Sequence, residues 1–177
     1  AARVERYEAY RQHLFVALND IGWDGDWYRR AWYDNGHVVG SRESDECRID
    51  ALAQAWSILS GVATGERVSR VLSALDTHLI DPEVRIVRLL TPPFVDTPDD
   101  PGYIKGYVAG VRENGGQYTH AAAWVVMAFA RAGRHNRVAR LFLDTLPAVH
   151  ASSPAGVARF KAEPFVAVAD IYGADPH

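Results

Sequence analysis

The chain has 177 residues, of which 48% are hydrophobic and 23% charged, and its formal net charge is -3. That composition is typical of a folded globular protein, and the length suits one domain or part of a larger one. Because basic residues are scattered and the net charge is negative, nucleic acid is excluded as an expected partner.

The cysteine count and the hydropathy pattern indicate the cellular location of the protein. The single cysteine, Cys47, leaves no intramolecular disulfide and favours a reducing, cytoplasmic location. No apolar run approaches the roughly 18 residues of a membrane span, and charges interrupt the N-terminus too often for a signal peptide. The chain opens on a helical pattern without a cap, and "DIYGADPH" stops without a closing element. Both ends therefore predict a segment of a longer chain.

Three helices and a hairpin are predicted in the first half of the chain. The inward-facing residues of the helices are predicted to be Val4, Tyr7, Leu14, Phe15 and Leu18; then Ile49, Leu52, Ala53, Trp56 and Leu59; then Val68, Val71, Leu72, Leu75 and Leu79. Gly61 ends the second helix, and Thr64 and Glu66 open the third. Large and polar residues alternate around Asn35-Gly36, which predicts a β-hairpin before the second helix.

The middle of the chain is irregular. The stretch "EVRIVRLL", residues 83 to 90, alternates as a short strand does. The next stretch, "TPPFVDTPDDPGYIKGY", carries four of the nine prolines and cannot form a helix. A loop this long inside a compact domain is usually functional.

Three further helices are predicted in the second half. The fourth, from about Thr119 to Ala132, is apolar on nearly all sides, which predicts that both of its faces are covered. Gly133 ends it, and a fifth helix follows Asn136. The inward-facing residues of the fifth are predicted to be Val138, Leu141, Phe142 and Leu146. A sixth, short helix is predicted from Phe165 to Ile171.

The order of these elements predicts the fold class. We expect a mainly α protein that forms about half of an (α/α)6 toroid or barrel, with a small β-hairpin and long loops, over residues 1–177. Helices that alternate with long loops on one rim suit a toroid around a central site. No internal sequence repeat supports a TPR or HEAT solenoid.

The stretch "GVRENGGQYTHAAAWVV", residues 110 to 126, gathers polar groups at the start of the fourth helix. Gly115 and Gly116 allow backbone N–H groups to approach a ligand closely. Thr119 or His120 falls in the first helical turn, where free N–H groups and the helix dipole favour an anion, and Arg112 adds a positive charge. An anion site and a merely capped helix with a structural histidine both remain open from this pattern alone.

Other motifs carry weaker signals. In "GWDGDW", Asp24 or Asp26 beside a tryptophan is either a sugar-site acid or part of a turn, and the Asp-Gly chemistry favours the turn. The stretch "SRESDECRID" is more typical of a helix N-cap at Ser44 or Asp45 than of a carboxylate site. Dispersed histidines without HExxH or CxxC predict no metal site, and no P-loop or dinucleotide motif is present, so no cofactor is expected.

Five stretches resemble one known family in order along the chain. They are "GWDGDWYRRAWYDNGHVVGS", "DECRIDALAQAWSILSG", "RLLTPPF", "DPGYIKGYVAGVRENGGQYTHAAAWVV" and "EPFVAVADIYG". Together they resemble the phosphorylases of glycoside hydrolase family 94, formerly glycosyltransferase family 36. The likeness is greatest to the branch with the C-terminal region of cyclic β-1,2-glucan synthases and the β-1,2-oligoglucan phosphorylases.

The resemblance implies a carbohydrate phosphorylase whose catalytic domain is an (α/α)6 barrel. In that family inorganic phosphate, a co-substrate rather than a cofactor, attacks the anomeric carbon with inversion. An aspartic acid protonates the leaving oxygen, so a β-linked glucooligosaccharide yields α-glucose 1-phosphate. Membership of a glucan synthase would further imply a position at the cytoplasmic face of the membrane.

The resemblance also assigns residues. His120 matches the family's phosphate-contacting histidine, and Tyr107 and Arg112 fall where family members contact the acceptor sugar. Three further residues of the same loop are assigned to substrate binding: Glu113, Asn114 and Gln117.

Parts of the family pattern are missing from the chain. The general acid lies in a "DWNDG"-like motif that belongs upstream, and a threonine-glycine pair that completes the phosphate site belongs downstream of "DIYGADPH". The upstream β-sandwich domain is also absent. We therefore expect no catalytic residue in this chain, no phosphorolysis by it alone, and a need for the rest of its parent chain. A half-toroid would expose an apolar seam, so a homo-oligomer or partial disorder of the isolated chain is also expected.

Two other functions stay open from the sequence. One is a non-catalytic helical module that binds sugar or assembles with itself. The other is a family relative that hydrolyses its substrate instead of using phosphate. Loss of the phosphate ligands would accompany hydrolysis, and His120 argues against it.

Overall fold

A computed structural model describes residues 2–174, and helices hold most of their regular structure. The helices are α1 (Ala2–Asp20), α2 (Ala51–Leu59), α3 (Glu66–Ala74), α4 (Thr119–Arg131), α5 (His135–Asp144), α6 (Pro147–His150) and α7 (Pro154–Phe160). A π-helical turn, Leu75–Leu79, extends α3, and a 3₁₀ turn spans Gly102–Gly106. The prediction of a mainly α protein is therefore confirmed.

The strands are short and pair two by two, always antiparallel. They are β1 (Ala31–Trp32) with β2 (Val38–Val39), β3 (Ile49–Asp50) with β6 (Leu90–Thr91), β4 (Ile80–Asp81) with β5 (Ile86–Val87), and β7 (Gln117–Tyr118) with β8 (Asp170–Ile171). The β1–β2 pair is the predicted hairpin, with Ala31 opposite Val39 and Gly36 in the left-handed region at φ 86°. Each strand has only two residues, so the strand pairs connect neighbouring loops and do not form an extended sheet.

Helix α2 begins later than its apolar pattern suggests. Its N-cap is Asp50, whose Oδ1 accepts hydrogen bonds from the N–H groups of Leu52 (2.7 Å) and Ala53 (3.3 Å). The prediction of a cap at Ser44 or Asp45 is wrong, because β3 occupies the two residues before the helix. Ser44 instead donates from Oγ to the carbonyl of Val38 at 3.0 Å.

The core lies where α2, α3 with its π-helical turn, and α4 meet. Most of the predicted inward face of α3 is buried, with Val71, Leu72, Leu75 and Leu79 in one apolar cluster. From α4, Val125 and Phe129 enter the same cluster, where α4 packs extensively against α2.

The segment predicted as one strand, residues 83 to 90, is divided between two pairs. Ile86 and Val87 turn back onto β4, whereas Leu90 pairs with β3. Arg85 lies in the left-handed region at φ 63°, which closes a tight turn just before β5. Because the segment changes its pairing strand within eight residues, the alternation of apolar and polar residues does not reveal that it forms two strands.

Helix α4 confirms its predicted start and ends one residue before the predicted boundary. The prediction that both of its faces are covered is wrong within the described chain, because Ala123, Met127 and Ala130 are exposed. Helix α5 likewise buries Leu141 but exposes Phe142, which was predicted to face inward.

The predicted sixth helix, Phe165 to Ile171, is wrong. Phe165 is 95% exposed in a turn, and the end of the segment forms β8. Its backbone is required elsewhere, because the carbonyl of Ala169 accepts from the N–H of Thr119 at 2.9 Å. Two short helices, α6 and α7, lie before it, and each begins at a proline in the first helical position.

Helix α1 lies on the surface, and none of its residues is buried. Of its five residues predicted to face inward, only Phe15 is partly covered, whereas Val4 and Tyr7 are each 65% exposed. The helix is held at its C-terminal end, where Asn19 bonds the carbonyl of Val62 and accepts from Tyr28 Oη at 2.9 Å. No helix within residues 2–174 is long and apolar enough to cross a membrane.

Candidate functional site

The polar loop of residues 110–119 is folded by short-range backbone bonds. The N–H of Gly110 donates to the carbonyl of Asn114 at 2.7 Å, and that of Gly116 to the carbonyl of Arg112 at 3.1 Å. Arg112 and Gly115 both have positive φ, at 50° and 92°. The loop is therefore a tight reversal that leads directly into β7 and α4.

Both glycines are needed for packing within the chain. A Cβ on Gly115 would lie 2.8 Å from Pro93 Cγ, and one on Gly116 would lie 2.8 Å from the carbonyl oxygen of Arg112. The prediction that this pair offers free N–H groups to a ligand is wrong for Gly116, since its N–H already has a backbone acceptor. The glycines shape the loop, and other groups must contact a ligand.

Asn114 is fully buried below the loop. Its Oδ1 accepts from the N–H of Phe94 at 2.7 Å, and its Nδ2 donates to the carbonyls of Phe94 (2.8 Å) and Tyr107 (2.9 Å). The side chain thus joins the proline-rich loop to the backbone of Tyr107. These bonds make Asn114 a positioning residue.

Gln117 is also fully buried, on β7. Its Oε1 accepts from the N–H of Val87 at 2.7 Å, which ties β5 to β7. Its Nε2 is buried without a hydrogen-bond partner. Like Asn114, it supports the loop from the inside.

Arg112 lies on the outer side of the loop, among aromatic and acidic groups. Its guanidinium carbon is 5.2 Å from the ring centroid of Tyr107, and its Nε is 3.7 Å from Glu113 Oε2. A hydrogen bond with Tyr118, followed by the charge interaction with Tyr107, raises the pKa of Arg112. Arg112 therefore brings together Tyr107, Glu113 and Tyr118.

Glu113 extends this cluster toward the 3₁₀ turn. Its Oε1 accepts from Tyr103 Oη at 3.4 Å, and its negative charge raises the pKa of Tyr103. Its Oε2 is buried and makes no hydrogen bond. The Glu113 carboxylate is thus buried at Oε2 and contacts Tyr103 through Oε1.

His120 is exposed in the first turn of α4, between two aromatic rings. Its ring centroid is 4.9 Å from those of both Tyr118 and Trp124, each in an edge-on arrangement. Tyr118, at the N-cap position, makes no side-chain capping bond. The first turn of α4 therefore has no side-chain cap, and the helix dipole favours an anion near its start.

The N–H and the hydroxyl of Thr119 are not available to bind such an anion. Its N–H donates to the carbonyl of Ala169, and its Oγ1 donates to the carbonyl of Val168 at 2.6 Å. This contact uses the C-terminal segment to fix the first residue of α4. Of the two residues considered for the anion, His120 is thus the one with an accessible side chain.

The structure brings four of the six assigned residues to one surface. Tyr107, Arg112 and Glu113 form a connected cluster, and Tyr118 links Arg112 to His120. Asn114 and Gln117 lie behind that surface. Tyr103 and Tyr118 also contact this surface and were missing from the family-based assignment, although aromatic rings with polar tips are typical of sugar sites.

Asp24 and Asp26 lie outside this surface. Asp24 is buried, with Arg29 Nη2 at 2.8 Å and Ser41 Oγ at 3.0 Å from its carboxylate. Its N–H also donates to the carbonyl of Trp27 at 2.8 Å, so the segment is the favoured turn. Within residues 2–174 no group of three or more His, Cys, Asp or Glu side chains is arranged to hold a metal ion.

Comparison with known proteins identifies the family. The model of the glycosyl hydrolase 94 superfamily catalytic domain matches residues 1–177. The chain belongs to this superfamily. The resemblance drawn from its sequence motifs is thus confirmed.

Three relatives illustrate the range of the family. The chain is similar to cyclic β-(1,2)-glucan synthase NdvB of Rhizobium meliloti (strain 1021), with 52% identity over 171 residues, which is 97% of this chain and 6% of that protein. It is similar to solabiose phosphorylase of Paenibacillus borealis, with 37% identity over 131 residues, or 74% of this chain and 17% of that protein. It is also similar to 3-O-β-D-glucopyranosyl-β-D-glucuronide phosphorylase of the same organism, with 35% identity over 143 residues, or 81% and 18%. The chain thus spans less than a fifth of each of these relatives.

Proposed function

We propose that this chain is part of a catalytic domain that cleaves β-glucosidic bonds with inorganic phosphate, with inversion, to give α-glucose 1-phosphate. The relatives named as phosphorylases support the reaction class. The similarity to a cyclic β-(1,2)-glucan synthase supports a β-linked glucooligosaccharide as substrate.

One observation carries the proposal: the exposed His120 at the uncapped start of α4. Phosphate binds the His120 ring and the first-turn N–H groups that follow that of Thr119, where the helix dipole favours negative charge. The edge-on rings of Tyr118 and Trp124 restrict the rotation of the imidazole. The acceptor sugar lies against Tyr107, with Arg112 and Glu113 bonding its hydroxyls.

Catalysis in this proposal needs residues beyond the chain. The general acid comes from the rest of the parent chain, since no "DWNDG"-like motif is among the 177 residues. The chain itself then forms the C-terminal portion of an (α/α)6 barrel, works in the cytoplasm or at the cytoplasmic membrane face, and releases no glucose 1-phosphate alone. The exposed apolar side chains of α1, Val4, Tyr7 and Leu14 among them, support packing against further helices of that barrel.

Kinetics of the full-length protein test the phosphate site. With β-1,2-glucooligosaccharide as substrate, His120→Ala is expected to raise the KM for phosphate at least about tenfold. That factor corresponds to the free energy of one charge-assisted hydrogen bond, which the substitution removes. The matched control is His135→Ala, because His135 is also exposed in the first turn of a helix, α5. An unchanged KM for phosphate in His120→Ala refutes the assignment, and absence of glucose 1-phosphate from the unmodified protein refutes phosphorolysis.

A second candidate is a non-catalytic module that assembles with itself, favoured by the same exposed face of α1. Light scattering on the isolated 177 residues separates it from the first. A concentration-dependent dimer that Leu14→Glu disrupts would favour self-assembly. A monomer that binds no second copy would count against it and against the expected oligomer.

A further inference from the structure

Three aromatic rings lie in a row that leads from the candidate site to helix α2. The rings of His120 and Trp124 meet edge-on, with centroids 4.9 Å apart and an angle of 82° between their planes. Those of Trp124 and Trp56 also meet edge-on, at 5.3 Å and 71°. His120 and Trp124 both belong to α4, whereas Trp56 belongs to α2. The row thus connects a second helix to the imidazole at the start of α4.

Ring contacts alone orient the imidazole of His120. Within residues 2–174 neither of its nitrogens makes a hydrogen bond, and the ring contacts those of Tyr118 and Trp124. A functional histidine is often oriented by a hydrogen bond to the nitrogen that does not meet the ligand. Because His120 has no such bond in the described chain, the positions of the two neighbouring rings decide where its nitrogens lie.

The two neighbouring rings are held by different parts of the fold. Tyr118 lies on strand β7, which pairs with β8, and its hydrogen bond with Arg112 adds a second contact. Trp124 is partly buried against the apolar core, and Trp56 is its other aromatic neighbour. The contact with Trp56 therefore limits how far the indole of Trp124, and with it the imidazole, can turn.

Trp56 contributes little to the core itself. It is 47% exposed, although the helical pattern predicted that it faces inward, and it lies outside the buried apolar cluster. Its helix is firmly placed, because Asp50 caps the start of α2 and the helix packs extensively against α4. The one ring contact of Trp56 in the described chain is with Trp124, so its side chain acts there and not in the core.

We infer that Trp56 is a positioning residue for phosphate binding, which acts on His120 through Trp124. The inference rests on the proposed function, because that function makes His120 the phosphate contact. It adds helix α2 to a site that is otherwise built from the loop of residues 110–119 and the start of α4. Trp56 itself touches neither phosphate nor sugar, so its loss weakens phosphate binding and leaves sugar binding as it is.

Kinetics of the full-length protein with β-1,2-glucooligosaccharide separate this role from a general structural one. Trp56→Ala is expected to raise the KM for phosphate about three- to tenfold, the range of one edge-on aromatic contact, and to change the KM for the sugar less than about twofold. Trp56→Phe keeps a ring beside Trp124 and is expected to stay within about twofold of the wild type in both constants. Trp23→Ala is the matched control and leaves the KM for phosphate unchanged, because Trp23 also meets a ring edge-on, that of Tyr28 at 4.9 Å, but lies outside the row.

A double substitution shows whether Trp56 acts through His120. In the His120→Ala background, Trp56→Ala is expected to raise the KM for phosphate less than about 1.5-fold, because the ring that it positions is gone. Independent sites would instead multiply their effects on the KM. Loosened packing alone would not produce this lack of additivity.

Acylation of histidine by diethyl pyrocarbonate reports on the imidazole without any turnover. In the full-length protein without phosphate, peptide mass spectrometry gives the acylation rates of His120 and His135 from one digest. Trp56→Ala is expected to raise the rate of His120 at least about twofold, because an imidazole released from the aromatic row is more accessible. His135, which is exposed in the first turn of α5, is the internal reference and keeps its rate.

The outcomes keep this inference apart from the proposed function. An unchanged KM for phosphate in Trp56→Ala, or an equal rise in the KM for the sugar, overturns the positioning role. A full multiplicative effect in the His120→Ala background, or an unchanged acylation rate of His120, overturns it as well. If the unmodified protein forms no glucose 1-phosphate, phosphorolysis fails, and the acylation rates alone then decide whether Trp56 positions His120.

Discussion

Replacing Asn114 with alanine tests whether the polar loop is held from the inside. The amide of Asn114 is fully buried and makes three hydrogen bonds, at 2.7, 2.8 and 2.9 Å, all to backbone atoms. Alanine removes all three and leaves the N–H and carbonyl of Phe94 and the carbonyl of Tyr107 without these partners. The backbone groups of Phe94 and Tyr107 can reach water as replacement partners only if the loop unfolds locally.

The expected loss follows from the number of bonds. A typical intramolecular hydrogen bond contributes about 1 kcal/mol net, and a buried group left unpaired costs about 1–3 kcal/mol. Three bonds therefore give a destabilisation of about 3 kcal/mol. In a domain of this size each kcal/mol lowers the Tm by about 2–4 °C, so a fall of about 6–12 °C is expected.

Urea and thermal unfolding of Asn114→Ala and of Asn136→Ala provide the measurement. Asn136 is exposed in the first turn of α5, and its loss is expected to cost less than about 0.5 kcal/mol. Asn114→Asp should behave like alanine, because a carboxylate keeps an acceptor for Phe94 but presents negative charge to two carbonyl oxygens. A destabilisation below about 1 kcal/mol in Asn114→Ala would show that these bonds do not hold the loop.

Two further predictions concern packing and pH. Gly115→Ala should lower the free energy of unfolding by about 1–3 kcal/mol more than Gly36→Ala does. Both glycines have φ near 90°, but only at Gly115 would a Cβ collide with Pro93. Equal losses of unfolding free energy in urea would contradict this. Burial alone would raise the pKa of Glu46, but hydrogen bonds from the N–H groups of residues 95–97 lower it on balance. The stabilisation that the ionised Glu46 carboxylate gives to the folded state is therefore present above the ordinary carboxylate pKa, and it is lost as pH falls and Glu46 becomes protonated. Glu46→Gln should thus be less stable than the wild type at pH 7 and approach it under acid conditions, and a constant difference across the range would refute the mechanism.

Elements with strong local signals were predictable from sequence. Helix α4 has an unbroken apolar run ended by Gly133, and the β1–β2 hairpin has Asn35-Gly36 at its turn. In both, neighbouring residues carry all the information. The family resemblance was predictable for a similar reason, since its motifs are contiguous stretches.

Other elements depend on partners far along the chain. Asp50 caps α2 instead of Ser44 or Asp45 because β3 must pair with β6, some 40 residues later. Residues 165–171 have helical periodicity, yet β8 is fixed by its pairing with β7. Hydrophobic period alone does not report such pairings, so tertiary contacts override it.

The polar composition of the candidate surface was predictable from sequence, but which of its residues face outward was not. Arg112, Asn114 and Gln117 are all polar and lie within six positions, so sequence assigned all three to substrate. The tight reversal at residues 110–116 places Arg112 outward and the two amides inward. Which side each residue takes depends on the positive φ of Arg112 and Gly115, which composition does not encode.

This layering explains why so many polar residues surround two glycines. The Tyr107 end of the surface depends on Asn114, which bonds the backbone of Tyr107, and the His120 end depends on the C-terminal segment, which bonds Thr119. The loop of residues 110–119 connects the two ends, and a Cβ on Gly116 would lie 2.8 Å from the carbonyl oxygen of Arg112 and 3.0 Å from that of Ile171. A side chain there would separate β7 from β8 and shift the start of α4. In the proposed function the glycines therefore act indirectly, by fixing the distance between the two ends of the surface.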